Sequence, residues 1–354
     1  MAAKLVYLLT IMPLLLPLRG QCGAAATSCR DVVGAGGAAA AAGRSSGGEA
    51  GRKQRQRPQV EGMFVFGSSL VDNGNNNFLN GSGVRADYLP YGVDFPLGPS
   101  GRFSNGRNVI DALGELLRLP GLVPPFADPR TRGRAALHGV NFASGGSGIL
   151  DHTGQLTGEV VSLRQQISNF VAVTLPDLRA QLRAAAATAG DRRSSARIPS
   201  SDATCPSGND YLLNYFNPRK NGTEGGTPLP EFTRSLITKL SQHLQEKIGE
   251  IYSHSERSKV TSEMQRLYAL GARKFVIFSI QPTGCTPVVR AFLNITGGAC
   301  IEPVNHAVAL FNSELRRLVD GARSRMPAAR LAYIDSYRII KDMLDHPAKH
   351  GTRV

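Results

Sequence analysis

Apolar residues fall into two kinds of run along the chain. Met63-Phe64-Val65-Phe66, Phe275-Val276-Ile277-Phe278 and Leu331-Ala332-Tyr333-Ile334 are short and nearly unbroken, the pattern of strands buried on both faces. Elsewhere apolar positions recur at three- and four-residue steps. Phe232, Leu236, Leu240, Leu244, Ile248 and Ile251 form one such series, and Val304, Val308, Phe311, Leu315, Leu318 and Ala322 a second. That spacing lays one face of an amphipathic helix against a core. Doubly buried strands alternating with such helices predict a mainly parallel sheet covered on both sides, a three-layer α/β/α architecture. In that architecture chemistry gathers at the carboxyl ends of the strands.

The first 57 residues follow neither pattern. Lys4 precedes an apolar run from Leu5 to Leu18, and small residues including Ala24-Ala25-Ala26 come after it. A positive charge, a short apolar core and a small-residue exit predict a secretory signal peptide over residues 1–26, hence an extracellular protein. The run is shorter than the roughly 20 residues that span a bilayer, so no stable membrane insertion is expected. Residues 27–57, dominated by Ala, Gly, Ser and Arg, predict a flexible linker. The folded domain is therefore expected over residues 58–354.

Secretion gives meaning to the cysteines and to three N-x-S/T sequons, at Asn80, Asn221 and Asn294, which become candidate glycosylation sites. Cys285 and Cys300 flank a turn-rich stretch and are expected to close a loop in an oxidising compartment. Composition narrows the field further. A chain of 354 residues with 42% hydrophobic content is not wholly disordered, and five cysteines are too few for a disulfide scaffold. The formal net charge is +14, of which residues 1–60 hold +6. The remainder is spread thinly, with no arginine-rich helix or aromatic-interleaved basic run, so nucleic acid is not an expected partner.

Candidate chemistry starts at Phe64-Val65-Phe66-Gly67-Ser68-Ser69-Leu70-Val71-Asp72-Asn73-Gly74-Asn75-Asn76-Asn77. A strand ending in a glycine turn presents Ser69 at the sheet edge. A serine there is either a nucleophile awaiting a base and an oxyanion site, or the cap of a turn. The stretch resembles the first block of the plant GDSL esterase/lipase family of SGNH hydrolases, whose members read Phe-Gly-Asp-Ser-Leu-x-Asp-x-Gly-Asn-Asn. Gly139-Val140-Asn141-Phe142-Ala143-Ser144-Gly145-Gly146-Ser147-Gly148 resembles its second block and Gly208-Asn209-Asp210-Tyr211 its third. Further similar segments are Leu270–Val276, Pro282–Pro287 and Cys300–Asn305.

The resemblance implies a flavodoxin-like SGNH hydrolase fold and hydrolysis of lipid or small acyl esters without metal or organic cofactor. It assigns Ser69 as nucleophile, with the Ser69 N–H, the Gly145 N–H (Gly146 being the neighbouring alternative) and the Asn209 amide as oxyanion donors.

Three departures from the family pattern carry expectations of their own. Ser68 replaces the family's aspartate before the nucleophile and is expected to accept a backbone hydrogen bond in its stead. Residues 191–207, where the family has an apolar strand, are polar and contain Pro199 and Pro206. They predict either a missing central strand or a misplaced Asn209. Finally, the family ends in an Asp-x-x-His block supplying the base and its carboxylate, and no Asp-x-x-His occurs in these residues. The chain is thus expected to be a C-terminally truncated member of impaired activity with an incomplete domain. Asp345-His346-Pro347 lacks the two-residue spacer, and adjacent helical residues point about 100° apart, so His346 is not expected to be the base. His138, His152, His243, His254, His306 and His350 are expected to be surface or packing residues. A secreted, non-enzymatic relative that binds lipid or acidic cell-wall polymer is the alternative.

Overall fold

The computed structural model describes residues 58–188, 200–217, 226–242 and 273–351. The expected signal peptide, linker and Asn221 sequon lie outside them, as do Leu244, Ile248 and Ile251 of the first helical series.

Among the described residues five strands form one parallel sheet: β1 (Gly62–Gly67), β2 (Gly139–Asn141), β3 (Ser200–Cys205), β4 (Lys274–Phe278) and β5 (Arg330–Ile334), in the order β2-β1-β3-β4-β5. The three apolar runs became β1, β4 and β5. The helices are α1 (Val109–Leu116), α2 (Leu163–Asn169), α3 (Leu175–Thr188), α4 (Leu229–Gln242), α5 (Pro287–Phe292), α6 (Glu302–Arg325) and α7 (Ser336–Asp345), with a π turn over Phe170–Thr174 joining α2 to α3. None of the described helices is long and apolar enough to cross a membrane.

Strand alternation divides the core. Phe64, Phe66, Phe275 and Ile277 face one side and pack with Leu163 and Ile167 of α2, Leu175 of α3, Phe232 and Leu236 of α4 and Phe311 and Leu315 of α6. Met63, Val65, Ala203, Cys205 and Phe278 face the other, against Ile110 of α1. Both faces are covered, which the unbroken apolar runs require. On α6, Val319 rather than Leu318 is the fully buried residue between Leu315 and Ala322.

β3 corrects the expectation of a missing strand. It occupies the middle of the sheet, its residues Ser200 to Cys205 opposite Gly62 to Gly67 on β1 and Ser201 to Thr204 opposite Lys274 to Ile277 on β4. A parallel ladder is built from main-chain groups, and Pro206 falls one residue past the last pair; Pro199 lies outside the described residues. Ala203 and Cys205 supply small apolar side chains to the α1 face, whereas Asp202 and Thr204 alternate to the other side.

The Cys285–Cys300 disulfide is present, with Cα atoms 4.3 Å apart. Cys205 is free and buried.

Candidate active site

The nucleophile turn begins where β1 ends. Gly67 has φ +150°, and a Cβ there would come within 2.5 Å of the Cys205 carbonyl oxygen, so only glycine lets β1 and β3 approach this closely. The chain then turns, closed by the Val71 N–H donating to the Ser68 carbonyl at 3.0 Å. The Ser68 acceptor is thus its main-chain oxygen. Ser69 sits on the turn, half-buried, and among the described residues no side chain hydrogen-bonds its Oγ.

The second and third blocks follow the carboxyl ends of β2 and β3, the two neighbours of β1. Main-chain and side-chain bonds bring all three together around Gly67. The Ser144 N–H and the Ser147 Oγ donate to the Gly67 carbonyl at 3.1 and 3.2 Å. The Asn209 side-chain amide donates to the Ser147 carbonyl at 2.9 Å, which leaves its second N–H uncommitted. The polar β3 thus carries Asn209 to the second block.

Two buried carboxylates fix these loops. Asp210 accepts from the N–H groups of Ile149 and Leu150 at 2.8 and 2.9 Å and from Thr153 Oγ1 at 2.6 Å. Burial raises its pKa, against those donors and the nearby His152. A Cβ on Gly148 would stand 2.5 Å from Asp210 Oδ1, so the Gly-Gly-Ser-Gly turn is shaped to admit this carboxylate. Asp72 accepts from Gly74 and Asn75 N–H at 2.7 and 2.8 Å through one oxygen and from Gly145 N–H at 2.9 Å through the other. Burial pushes Asp72 up to about 6, opposed by those N–H groups and by Arg102.

The asparagines after Asp72 stitch the first block to the second. The Asn75 side chain donates to the Asn141 and Ala143 carbonyls at 2.9 and 2.8 Å and accepts from the Ala127 N–H at 2.9 Å. Asn76 donates to the Gly145 and Val84 carbonyls at 2.9 and 2.8 Å and accepts from Ser144 Oγ at 2.6 Å. These asparagine amides bond main-chain groups of the buried loops and of the end of β2, as burial demands.

Of the two candidate glycines, Gly145 donates its N–H to Asp72 at 2.9 Å, whereas the neighbouring Gly146 N–H has no hydrogen-bond acceptor among the described residues. The histidines stand as expected where they are described. His138 bonds the Glu61 carbonyl at 3.0 Å, and His152, His306 and His346 are exposed. His350 Nε2 lies 2.7 Å from Asp342 Oδ2, and Asp345 pairs with Lys341 at 2.5 Å. His243 and His254 lie outside the described residues. No described cluster of His, Cys, Asp and Glu could hold a metal ion.

Sequence reading missed Gln166 and Asp210. Gln166 is fully buried on α2 and bonds Gly67 on both sides, accepting from its N–H at 2.9 Å and donating to its carbonyl at 2.8 Å. The signal was an amide on the apolar face that Leu163, Ile167 and Phe170 define.

Residues 63–349 match the GDSL-like lipase/acylhydrolase family. Three GDSL esterase/lipases of Arabidopsis thaliana illustrate the similarity. One is 36% identical over 306 residues, covering 85% of this chain and 75% of its own length. A second is 38% identical, covering 84% and 71%. The third, GDSL esterase/lipase 7, is 35% identical, covering 85% and 75%. With three neighbouring strand ends carrying the serine, the glycine turn and the asparagine, and with this match over most of its length, the chain belongs to the GDSL-like lipase/acylhydrolase family.

Proposed function

We propose that the protein is a secreted serine ester hydrolase acting on lipid or small acyl esters, with Ser69 as nucleophile. Family membership supports ester hydrolysis. The observation that carries the assignment of residues is the meeting of Ser69, the Gly145-Gly146 turn and Asn209 at the carboxyl ends of β1, β2 and β3. Ser69 Oγ attacks the ester carbonyl, and the oxygen that becomes negative is received by the N–H groups of Ser69 and Gly146 and the free N–H of the Asn209 amide. Donors held in place before the reaction lower the barrier because they need not reorganise when the charge develops. Collapse of the tetrahedral intermediate expels the alcohol, and water then releases the acid from the acyl-enzyme.

A neutral hydroxyl is a weak nucleophile and needs a base within hydrogen-bond reach. No described histidine bonds Ser69, and the 354 residues contain no Asp-x-x-His. These residues alone are therefore expected to hydrolyse p-nitrophenyl acetate slowly, through oxyanion stabilisation. Adding an Asp-x-x-His block is expected to raise the rate by about 10³-fold or more, the scale on which triad members act. In both forms Ser69→Ala should remove the enzymatic rate. Activity insensitive to Ser69→Ala would overturn the nucleophile assignment; strong activity of the 354 residues lost on His346→Ala would overturn the account of the base. The net charge of +14 supports the second reading, a binding protein for anionic lipid or cell-wall polymer. Retention of such polymer at physiological salt without any Ser69-dependent hydrolysis would favour it.

A further inference from the structure

We propose that Gln166 is the positioning residue of the nucleophile turn, an inference that rests on Ser69 being the nucleophile. Its side-chain amide pairs with the Gly67 peptide as a strand would, accepting from the N–H at 2.9 Å and donating to the carbonyl at 2.8 Å. The same Nε2 donates to the Val161 carbonyl at 2.9 Å and approaches Ser147 Oγ at 3.3 Å. Ser147 is the residue whose carbonyl receives the Asn209 amide. One buried side chain thus touches the first block and the second directly, and the third through Ser147.

The location explains why a side chain is needed there. Gly67 is the last residue of β1, beyond which the ladder gives out and the chain must turn. Its carbonyl gathers three donors: Ser144 N–H, Ser147 Oγ and Gln166 Nε2. Among the described residues the acceptor for its N–H is Gln166 Oε1. Two residues later stands Ser69. A pivot of the Gly67 peptide would swing the serine hydroxyl relative to the glycine turn and Asn209, and displacements near 1 Å can cost about 100-fold in rate. Gln166 is a positioning residue, acting through Gly67 without contact to substrate.

The experiment compares the full chain with Gln166→Met, which keeps the volume and removes both hydrogen bonds to Gly67 together with that to Val161, and Gln166→Glu, which keeps the acceptor for the Gly67 N–H and, when ionised, has no donor. Amide hydrogen exchange is read at Gly67 to Ser69 and at Met63 to Val65. The Gly67 amide is expected to exchange at least about 10-fold faster in the Met variant, to stay protected in the Glu variant, and the β1 interior to stay protected in both. With p-nitrophenyl acetate, kcat is expected to fall about 10- to 100-fold in the Met variant while KM stays within about twofold. Unchanged exchange at Gly67 in the Met variant overturns the proposal, and this reading needs no turnover. Loss of protection throughout β1 overturns it too, since Gln166 would then be a general support of the fold. Turnover unaffected by Ser69→Ala is a different failure, that of the nucleophile assignment, and leaves the exchange result to decide the role of Gln166 in holding the turn.

Discussion

At Asp72 two demands meet in one side chain. The carboxylate must accept three N–H groups, including that of Gly145, yet it is shut away from water, and burial pushes it up to about 6. A carboxyl whose folded value exceeds its unfolded one binds a proton more readily in the native state. The stability it contributes is fully present below its ordinary value near 3.8 and lost as pH rises through about 6. The swing is roughly 3 kcal/mol. Asp72→Asn removes it, so the stability of the native chain relative to the variant, measured by denaturant unfolding, should improve from pH 7 to pH 4. A constant difference across that range would contradict the raised value. Ser69 and Asn209 were legible through the blocks around them, which resemble the family's, Ser69 two residues after Gly67 and Asn209 between Gly208 and Asp210; their types alone are common in turns. Gln166 was not, because a single amide on an apolar helix face reads as a lapse in the pattern until its partner on a distant strand is known.

Among the elements, apolar strands and amphipathic helices declared themselves, and β2 and β3 did not. β2 has three residues, too few for a period to show. β3 hid because its burial falls to small or polar side chains; only Ala203 and Cys205 in alternation mark the face turned to α1. Its neighbours β1 and β4 supply the large side chains that a central strand ordinarily brings itself. The disulfide belongs to this scale as well. It joins the short turn Thr283–Cys285 to Cys300, two residues before α6, across 15 positions, and closing a loop of that size restricts the unfolded chain by about 3 kcal/mol. Cys300→Ser is expected to lower the free energy of unfolding by about that amount, and reduction with dithiothreitol should bring the native chain to the same value. A variant as stable as the native chain would show that the bridge restrains nothing beyond what α5 and α6 already hold.

For the whole molecule, the proposed secretion can be checked through its glycans. Asn80 and Asn294 are both exposed. Produced through a secretory pathway, the chain should lose mass on N-glycosidase treatment, and Asn80→Gln and Asn294→Gln should each remove one glycan. A mass equal to that of the unmodified chain would count against passage through that pathway. The overall α/β architecture could be read from a few runs of side chains because layers obey general packing rules; the order of strands could not, because order depends on pairings far apart in the chain. That order has a consequence in time. Gly62 pairs with Ser200, and Ser201 with Lys274, so the strand presenting the serine emerges from the ribosome long before the strand that will flank it. Until residues 200–205 arrive, β1 has an open flank, and the weakly apolar β3, once paired with β1, waits in turn for residues 274–278 to cover its other edge. Slow, late closure is the expected kinetic signature of such distant pairing, and a nascent chain halted before Cys205 would carry the nucleophile without a site to use it.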